Sequence, residues 1–507
     1  MRILTTAQMA FVDRAAQRRA KIPSRLLMER AAEGIVLLAA DLFPGVRRAA
    51  VLCGPGNNGG DGLAAARLLH ARGIASTIVL LEPPRRFRGD ALANWEAARE
   101  RELPWVPARG AGRALEEADL VVDALFGTGL SRPLAGEARR LVEAANASDR
   151  PIVAVDVPSG LSGDRGNVFG HAIRARATGA IAALKYCHAL YPARARCGEI
   201  AVVDIGIPDA LLETCAHRFA MVGRDEIAPL FPRRAPDAHK GDAGRVAIVA
   251  GSRGKAGAAA LAALGALRAG AGLVTIACPE SVERGFLARL PEAMTLPLPD
   301  ADGALAPEAA DALLPLLRSC DAAAVGPGLG TGEGARRAVR AVVRSKVPAL
   351  FDADALNAFA GRPGDFRRPA ATIVTPHPGE AARLLGSSAA AIQADRPAAA
   401  AALARRSRAI ALLKGAGTIS ASPAGNLWLN PTGSPALAKG GSGDVLAGVG
   451  AAFLAQGLEA ADAAVAAAFV HGLAGERAGA ARGERGTLAS EVADAVADVL
   501  RSFEAGC

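Results

Sequence analysis

The sequence predicts an α/β protein of two consecutive domains, each built on a largely parallel sheet, and three observations carry that prediction. The chain has 507 residues, too many for one ordinary core. In both halves short β-branched runs alternate with longer helical stretches, the rhythm of βαβ units. That rhythm breaks between about Leu211 and Gly244, where Pro229, Pro232, Arg233, Arg234 and Pro236 gather, and then restarts. We therefore expect domains at 1–215 and 241–507, joined by a linker at 216–240.

In the first domain the expected strands are Ala49–Cys53, Thr77–Leu81, Leu120–Ala124, Ile152–Val157 and Ile200–Val203. The first runs into Gly54-Pro55-Gly56-Asn57-Asn58-Gly59-Gly60-Asp61-Gly62, ahead of a helix expected at Leu63–Arg72. A glycine loop between strand and helix is where phosphates bind, because the first helical amides lack intrahelical partners. This one is neither a GxGxxG fingerprint nor a Walker loop, since the Lys is missing. Its two Asn side chains instead offer amide oxygens to a monovalent cation or a ligand hydroxyl. A second strand end carries Asp123 and then Gly127-Thr128-Gly129-Leu130-Ser131-Arg132-Pro133; a third carries Asp156-Val157-Pro158-Ser159-Gly160. Gly and Asp at one strand end are ordinary turn chemistry. Three such ends on the carboxyl edge of one parallel sheet point to a ligand.

In the second domain Arg245–Ala250, Leu273–Ala277, Ala322–Val325, Ala349–Phe351, Thr372–Thr375 and Ile410–Leu413 read as strands, residues 418–430 as a hairpin, and three helices follow. The Ala tract at 398–403 is expected within a helix. Residues 438–448, AKGGSGDVLAG, form a glycine turn that delivers Asp444 and leads into a helix expected at Val445–Gln456. Such a turn presents phosphate-binding amides and a carboxylate to one small molecule; the plain alternative is that Asp444 caps the helix. SRGKAG (252–257) lacks the spacing of a phosphate loop, so Lys255 reads as a surface residue.

Apolar residues make up 51% of the chain, but no apolar run is long and hydrophobic enough for a membrane span. Residues 1–19 hold Asp13, Arg14, Arg18 and Arg19 and no continuous apolar core, so no secretory signal is expected and a cytoplasmic location is. The seven cysteines (53, 187, 197, 215, 278, 320, 507) show no CxxC and no zinc spacing, which leaves free thiols. The net charge of +9 is scattered Arg with few aromatics, which suits anionic small molecules and argues against nucleic acid.

The order GxGNNGGDG, VVDALFGTGL, DVPSGL over about residues 1–215 resembles the NAD(P)H-hydrate epimerase family. From HKGDAGRVAIVAGS through GPGLG (326–330), DADALN (352–357), TPHPGE (375–380), KGAGT (414–418) and GGSGD (440–444), the rest resembles NAD(P)H-hydrate dehydratases, a ribokinase-like fold. The resemblance implies a Rossmann-like three-layer α/β/α domain followed by a ribokinase-like one, and repair of nicotinamide cofactors hydrated at C6. It implies that Asn57, Asn58, Gly59, Gly60, Asp61, the loop Gly127 to Pro133 and Asp156 hold the epimerase substrate, and that potassium is bound through Asn58, Asp123 and Ser159. In the second domain it implies that Ala258, Gly328, His377 and Asp444 bind the S hydrate, and that Lys414, Gly415, Ala416, Gly417, Thr418 and Gly443 bind ADP with magnesium. Asp156 and Asp444 are the expected catalytic carboxylates. The implied partners are NADH hydrate, NADPH hydrate and ADP, with a homo-oligomer as the assembly. Two rival readings are a ribokinase-like kinase with a regulatory N-terminal ligand-binding domain, and a non-catalytic binding protein. The turn before Asp444 is Gly-Gly-Ser-Gly, where sugar and vitamin kinases commonly show Gly-Ala-Gly.

Overall fold

Along the strand Arg48–Cys53, Ala49, Val51 and Cys53 belong to one buried cluster and Ala50 and Leu52 to another. Side chains alternate across a pleated strand, so the sheet that carries it is covered on both faces. The computed structural model of the chain describes residues 1–214, 218–287 and 290–504. Its contacts divide into two units, Met1–Phe219 and Ala220–Cys507.

The first unit holds a seven-stranded sheet whose pairings are all parallel. Across it the strands run Trp105–Pro107, Ala75–Leu80, Arg48–Cys53, Leu120–Ala124, Ile152–Val155, Ala177–Ile181, Glu199–Val203. The chain order reverses between Arg48–Cys53 and Leu120–Ala124, and a doubly wound sheet opens a crevice at such a switch. Register sets Leu52 opposite Asp123 there.

The helix after the first strand starts earlier than its sequence suggests, at Asn57 rather than Leu63, and ends at Ala71. The glycines serve close packing within the helix. A methyl group on Gly59 would stand 1.8 Å from the Gly54 carbonyl oxygen, and one on Gly60 2.8 Å from Met28 Cε. The expected loop Asn57 to Asp61 is thus the first turn of a helix pressed against its strand, with Asn57, Asn58 and Asp61 carried on helical backbone.

The second unit repeats the plan on ten strands, in the order 219–221, 427–429, 419–421, 410–413, 372–374, 349–351, 322–325, 245–249, 273–279, 294–298. The pairings from Met294–Leu298 to Ile410–Leu413 are parallel, and the hairpin Ile419–Ala421 with Leu427–Leu429 is antiparallel. Here the order reverses between Arg245–Val249 and Ala322–Val325. Val246, Ile248 and Ala250 face a core shared with the helices Ala256–Arg268, Ser442–Ala455, Ala460–Arg482 and Ala489–Glu504. Of the stretch 216–240, residues 216 and 217 lie outside the described residues; Phe219–Met221 is an edge strand and Arg224–Ile227 a helical turn. No described helix is long and apolar enough to cross a membrane. The five described cysteines, Cys53, Cys187, Cys197, Cys278 and Cys320, are free; Cys215 and Cys507 lie outside the described residues.

Candidate active sites

A cavity of about 550 Å³ opens at the switch point of the first unit, walled by the glycine helix, by Gly127–Leu130 and by Asp156 and Lys185. Asp156 follows strand Ile152–Val155 with φ +62°, a left-handed conformation that a non-glycine residue adopts at a cost of order 1 kcal/mol. Three contacts hold it there. Its Oδ1 accepts from the Ile181 amide at 3.0 Å and from Lys185 Nζ. Lys185 Nζ also donates to the Ile181 carbonyl at 2.6 Å from a fully buried side chain. His188 Nδ1 accepts from the Lys185 amide at 3.0 Å, so its proton sits on Nε2, which donates to the Asp156 carbonyl at 2.8 Å. Burial, assisted by Lys185, pushes His188 down to about 4, which keeps it neutral at physiological pH.

Two more carboxyls share this space. Burial raises Asp13 to about 6, with Lys185 opposing and Asp156 adding to the rise. Burial, with Asp156 and Asp13 as like charges, raises Asp61 well above the carboxylate range. One lysine thus faces three acids, and burial with like charge favours the protonated forms of Asp13 and Asp61.

Beneath the cavity, Asp123 is fully buried. Its oxygens accept from the Ser159 amide (2.8 Å), the Ser159 hydroxyl (2.7 Å) and the Leu125 amide (3.3 Å). Ser159 Oγ also accepts from the Phe126 amide at 2.9 Å, and the adjacent Gly127 abuts Asn58: a methyl there would lie 2.9 Å from Asn58 Oδ1. No ion pair reaches Asp123 among the described residues, and burial lifts it to about 6. Asn58 Nδ2 is buried without a hydrogen-bond partner. A buried carboxylate without countercharge fits a cation that takes hard oxygen ligands. Among the described residues no group of three or more His, Cys, Asp or Glu could hold a metal ion.

In the second unit the strand ends converge in the same way. Ser252 Oγ donates to the Gly328 carbonyl at 2.7 Å, and Gly328 lies against Ala258, where a methyl on the glycine would come within 3.1 Å of Ala258 Cβ. Lys255 is about half exposed and reaches Asp354 at 3.3 Å, whose carboxylate also accepts from the Gly330 amide at 2.8 Å. Asp352, buried, accepts from Thr375 Oγ1 at 2.8 Å and from Lys414 Nζ. Burial works against the Lys414 ammonium, yet Asp352 and Glu380 outweigh it and hold Lys414 above its ordinary value.

Asp444 stands in the first turn of helix Ser442–Ala455, whose N-cap is Gly441 at φ +93°. Its side chain does not cap that helix. Burial, then repulsion from Asp352 and Asp354 against the pull of Lys414, pushes it up to about 7. A methyl on the neighbouring Gly443 would lie 3.5 Å from Lys414 Nζ, so amides, ammonium and carboxyl meet at one point. His471 Nε2 lies 3.4 Å from Ser442 Oγ, and burial takes this imidazole down to about 4. His377 is the N-cap of helix Pro378–Leu385: its Nδ1 accepts from the Gly379 amide at 3.0 Å, and its side chain is half exposed. A carboxyl poised at neutral pH can take a proton from a hydroxyl, while a fixed ammonium and free helical amides stabilise charge on a phosphoryl group.

Residues 246–497 match the family profile described as NAD(P)H-hydrate dehydratase, and residues 24–187 that of the YjeF-related protein N-terminus. The chain is 42% identical to the bifunctional NAD(P)H-hydrate repair enzyme Nnr of Moorella thermoacetica over 519 residues, covering 99% of this chain and 97% of that protein. It belongs to the bifunctional NAD(P)H-hydrate repair enzymes. The enzyme of the same name from Escherichia coli is 39% identical over 92% of this chain and 87% of its own. Among solved structures, the ADP/ATP-dependent NAD(P)H-hydrate dehydratase of Bacillus subtilis, co-crystallised with ATP and Mg²⁺, superposes with a TM-score of 0.50 at 33% identity, covering 56% of this chain and 98% of its own. The α/β class, with a second unit folded like these dehydratases, is the class expected from the sequence.

Within this repair-enzyme framework the structure sorts the expected site residues. Asn57, Asn58, Asp61, Gly127, Thr128, Gly129, Leu130 and Asp156 line the first cavity, while Gly59 and Gly60 pack behind it and Ser131, Arg132 and Pro133 are exposed away from its wall. In the second unit Lys414, Gly443 and Asp444 cluster, Ala258 and Gly328 touch, and Gly415 to Thr418 form the turn that follows Lys414. Sequence reasoning missed Asp13, Lys185 and His188 in the first site and Asp352, Asp354, Glu380 and His471 in the second. Asp352 carried a signal, an acid directly after a buried strand in DADALN. Lys185, alone in an apolar run, carried only a faint one.

Proposed function

We propose that the first unit interconverts the R and S epimers of NADH and NADPH hydrates, and that the second dehydrates the S epimer while converting ADP to AMP and phosphate. The observation that carries this reading is Asp444: an uncapped carboxyl poised near neutrality, in the first turn of a helix and beside Lys414. Hydroxide leaves carbon poorly. Asp444 takes the proton of the C6 hydroxyl, the oxygen attacks the terminal phosphorus of ADP, and AMP leaves with the electrons of the broken P–O bond. Lys414 and the amides around Gly443 hold the charge on the transferred group. Phosphate then departs from C6, a proton is lost from C5, and the ring double bond is restored. Magnesium accompanying the nucleotide would neutralise phosphate charge.

In the first unit Asp156, fixed by Lys185 and the Ile181 amide, exchanges a proton with the C6 hydroxyl or its ring-opened form. Asn58, Asp123 and Ser159 would seat potassium, which supplies the countercharge Asp123 lacks. The rest of the loop set then holds the substrate over Asp156.

The test is recovery of reduced-nicotinamide absorbance from a mixed-epimer NADH hydrate sample, with potassium, magnesium and either ADP, ATP or no nucleotide. Full recovery with a nucleotide alone, together with free phosphate, is expected. A stable phosphorylated product would instead mark a kinase, and recovery limited to the S share would mean a first unit without epimerase activity.

A further inference from the structure

The turn Lys414–Thr418 closes over a buried guanidinium. Arg396, the first residue of helix Arg396–Ser407, is 5% exposed and points back beneath the end of strand Ile410–Leu413. Its Nη2 donates to the carbonyls of Leu413 (3.2 Å), Lys414 (3.4 Å) and Gly417 (3.2 Å). Its Nη1 donates to Gln393 Oε1 (2.8 Å) and to the Lys414 carbonyl (3.4 Å). The turn fits tightly around this group, since a methyl on Gly415 would lie 2.8 Å from Nη1. No carboxylate pairs with Arg396 among the described residues, and its Nε is buried without a partner. Burial draws it down to about 10, which still leaves it charged at neutral pH.

A cation buried without an anion of its own is costly unless something else needs it there. In a trans peptide the C=O and the following N–H point opposite ways. With the Lys414 and Gly417 carbonyls turned inward onto Arg396, the amides of Gly415 and Thr418 are turned away from it. The same contacts fix the backbone of Lys414, whose ammonium stands beside Asp352 and Gly443. The guanidinium also adds positive potential beneath a loop that receives an anionic nucleotide.

We propose that Arg396 is the positioning residue of the nucleotide loop: it shapes residues 414–418 and thereby sets the affinity of the dehydratase unit for ADP, without touching the reacting atoms. This rests on the reading of the second unit as the nucleotide-dependent dehydratase.

The experiment uses the full-length enzyme, in which the epimerase unit serves as an internal control. For Arg396→Gln the expected result is a KM for ADP raised about 10- to 100-fold, with kcat at saturating ADP within about threefold and epimerisation unchanged. Arg396→Lys should recover part of the affinity, because one ammonium cannot serve three carbonyls in a plane. Gln393→Ala, which removes a single acceptor, should raise the KM by a smaller factor, and it tests the role even if both Arg396 variants fail to fold. An unchanged KM in folded Arg396→Gln, or in Gln393→Ala where the Arg396 variants do not fold, overturns the proposal. So does a fall in kcat with KM unchanged. If the wild type itself restores no NADH with ADP or ATP, the dehydratase reading fails first, and that outcome is distinct from a normal wild type with an indifferent variant.

Discussion

Replacing Asp444 by Asn should abolish dehydration and at the same time stabilise the second unit above neutral pH. The carboxyl is raised from its ordinary 3.8 to about 7 by burial, Asp352 and Asp354. At about 1.4 kcal/mol for each pH unit, ionisation in the folded state costs about 4 kcal/mol, and solvent reaching the partly exposed group reduces this to about 2 kcal/mol. Because the folded value lies above the unfolded one, the penalty is absent below about pH 4, grows through the acid range, and is complete above about pH 7. An amide carries no such penalty. Calorimetry at pH 8 should show the second unit of Asp444→Asn melting about 4 to 8 °C higher than wild type, and at pH 4 the difference should vanish. The dehydratase kcat should drop by about 10²- to 10⁴-fold, with epimerisation intact. In the wild type, kcat/KM should climb about tenfold between pH 6 and pH 8, as the ionised fraction goes from roughly one tenth to nine tenths. A folded Asn variant that dehydrates normally, or melts lower than wild type at pH 8, would refute the assignment of Asp444 as a base kept under electrostatic strain.

Asp156→Asn should stop epimerisation while leaving dehydration of pure S hydrate untouched, as a two-epimer assay by chromatography would show; normal epimerisation would remove Asp156 from the chemistry. Potassium should raise the melting temperature of the first unit by adding a countercharge to Asp123, and Asp123→Asn should erase that rise, with sodium and lithium as comparison salts. Gly59→Ala should destabilise the first unit by about 3 kcal/mol or more, since its methyl would meet the Gly54 carbonyl at 1.8 Å, and a urea titration of both proteins measures the loss.

What could be read from the chain in advance follows a physical line. Leu120–Ala124, Ala322–Val325, Ala349–Phe351 and Ile410–Leu413 fall where their short apolar runs place them, because buried parallel strands must be apolar on both faces. Ala177–Ile181 escaped, since ATGAI lacks a β-branched run; it is a strand because small residues let a helix approach, and a methyl on Gly179 would lie 2.3 Å from Ile35 Cδ1. Met294–Leu298 escaped because Pro297 argues against a strand, an objection that an edge position removes. The segment Asn57 to Asp61 is helix rather than the expected loop, because glycine's low helix propensity hides a helix that close packing enforces. At the sites, Asp123, Asp156 and Asp444 were legible from the strand ends and glycine turns beside them. Lys185 and Arg396 were not, since each acquires its role from partners brought near by the sheet, Asp156 lying 29 residues from Lys185 and Gly417 21 residues from Arg396.

Both units reverse strand order, at Arg48–Cys53 in the first and at Arg245–Val249 in the second, and both follow that reversal with carboxyls at neighbouring strand ends, yet their charge arrangements differ in a way that suits different chemistry. In the first unit the lysine is given to the carboxylate proposed to react: Lys185 pairs directly with Asp156, with a neutral His188 locking the turn from behind. That arrangement orients Asp156 for the reversible proton exchange proposed for it. In the second unit the lysine is claimed by another acid, since Lys414 pairs with Asp352, and among the described residues Asp444 has no ion pair. Without an ion pair of its own and pressed by two like charges, Asp444 holds its proton more readily than an ordinary carboxylate. On the proposed functions, the difference between a reversible proton exchange and a nucleotide-driven dehydration would follow from which carboxylate each lysine holds.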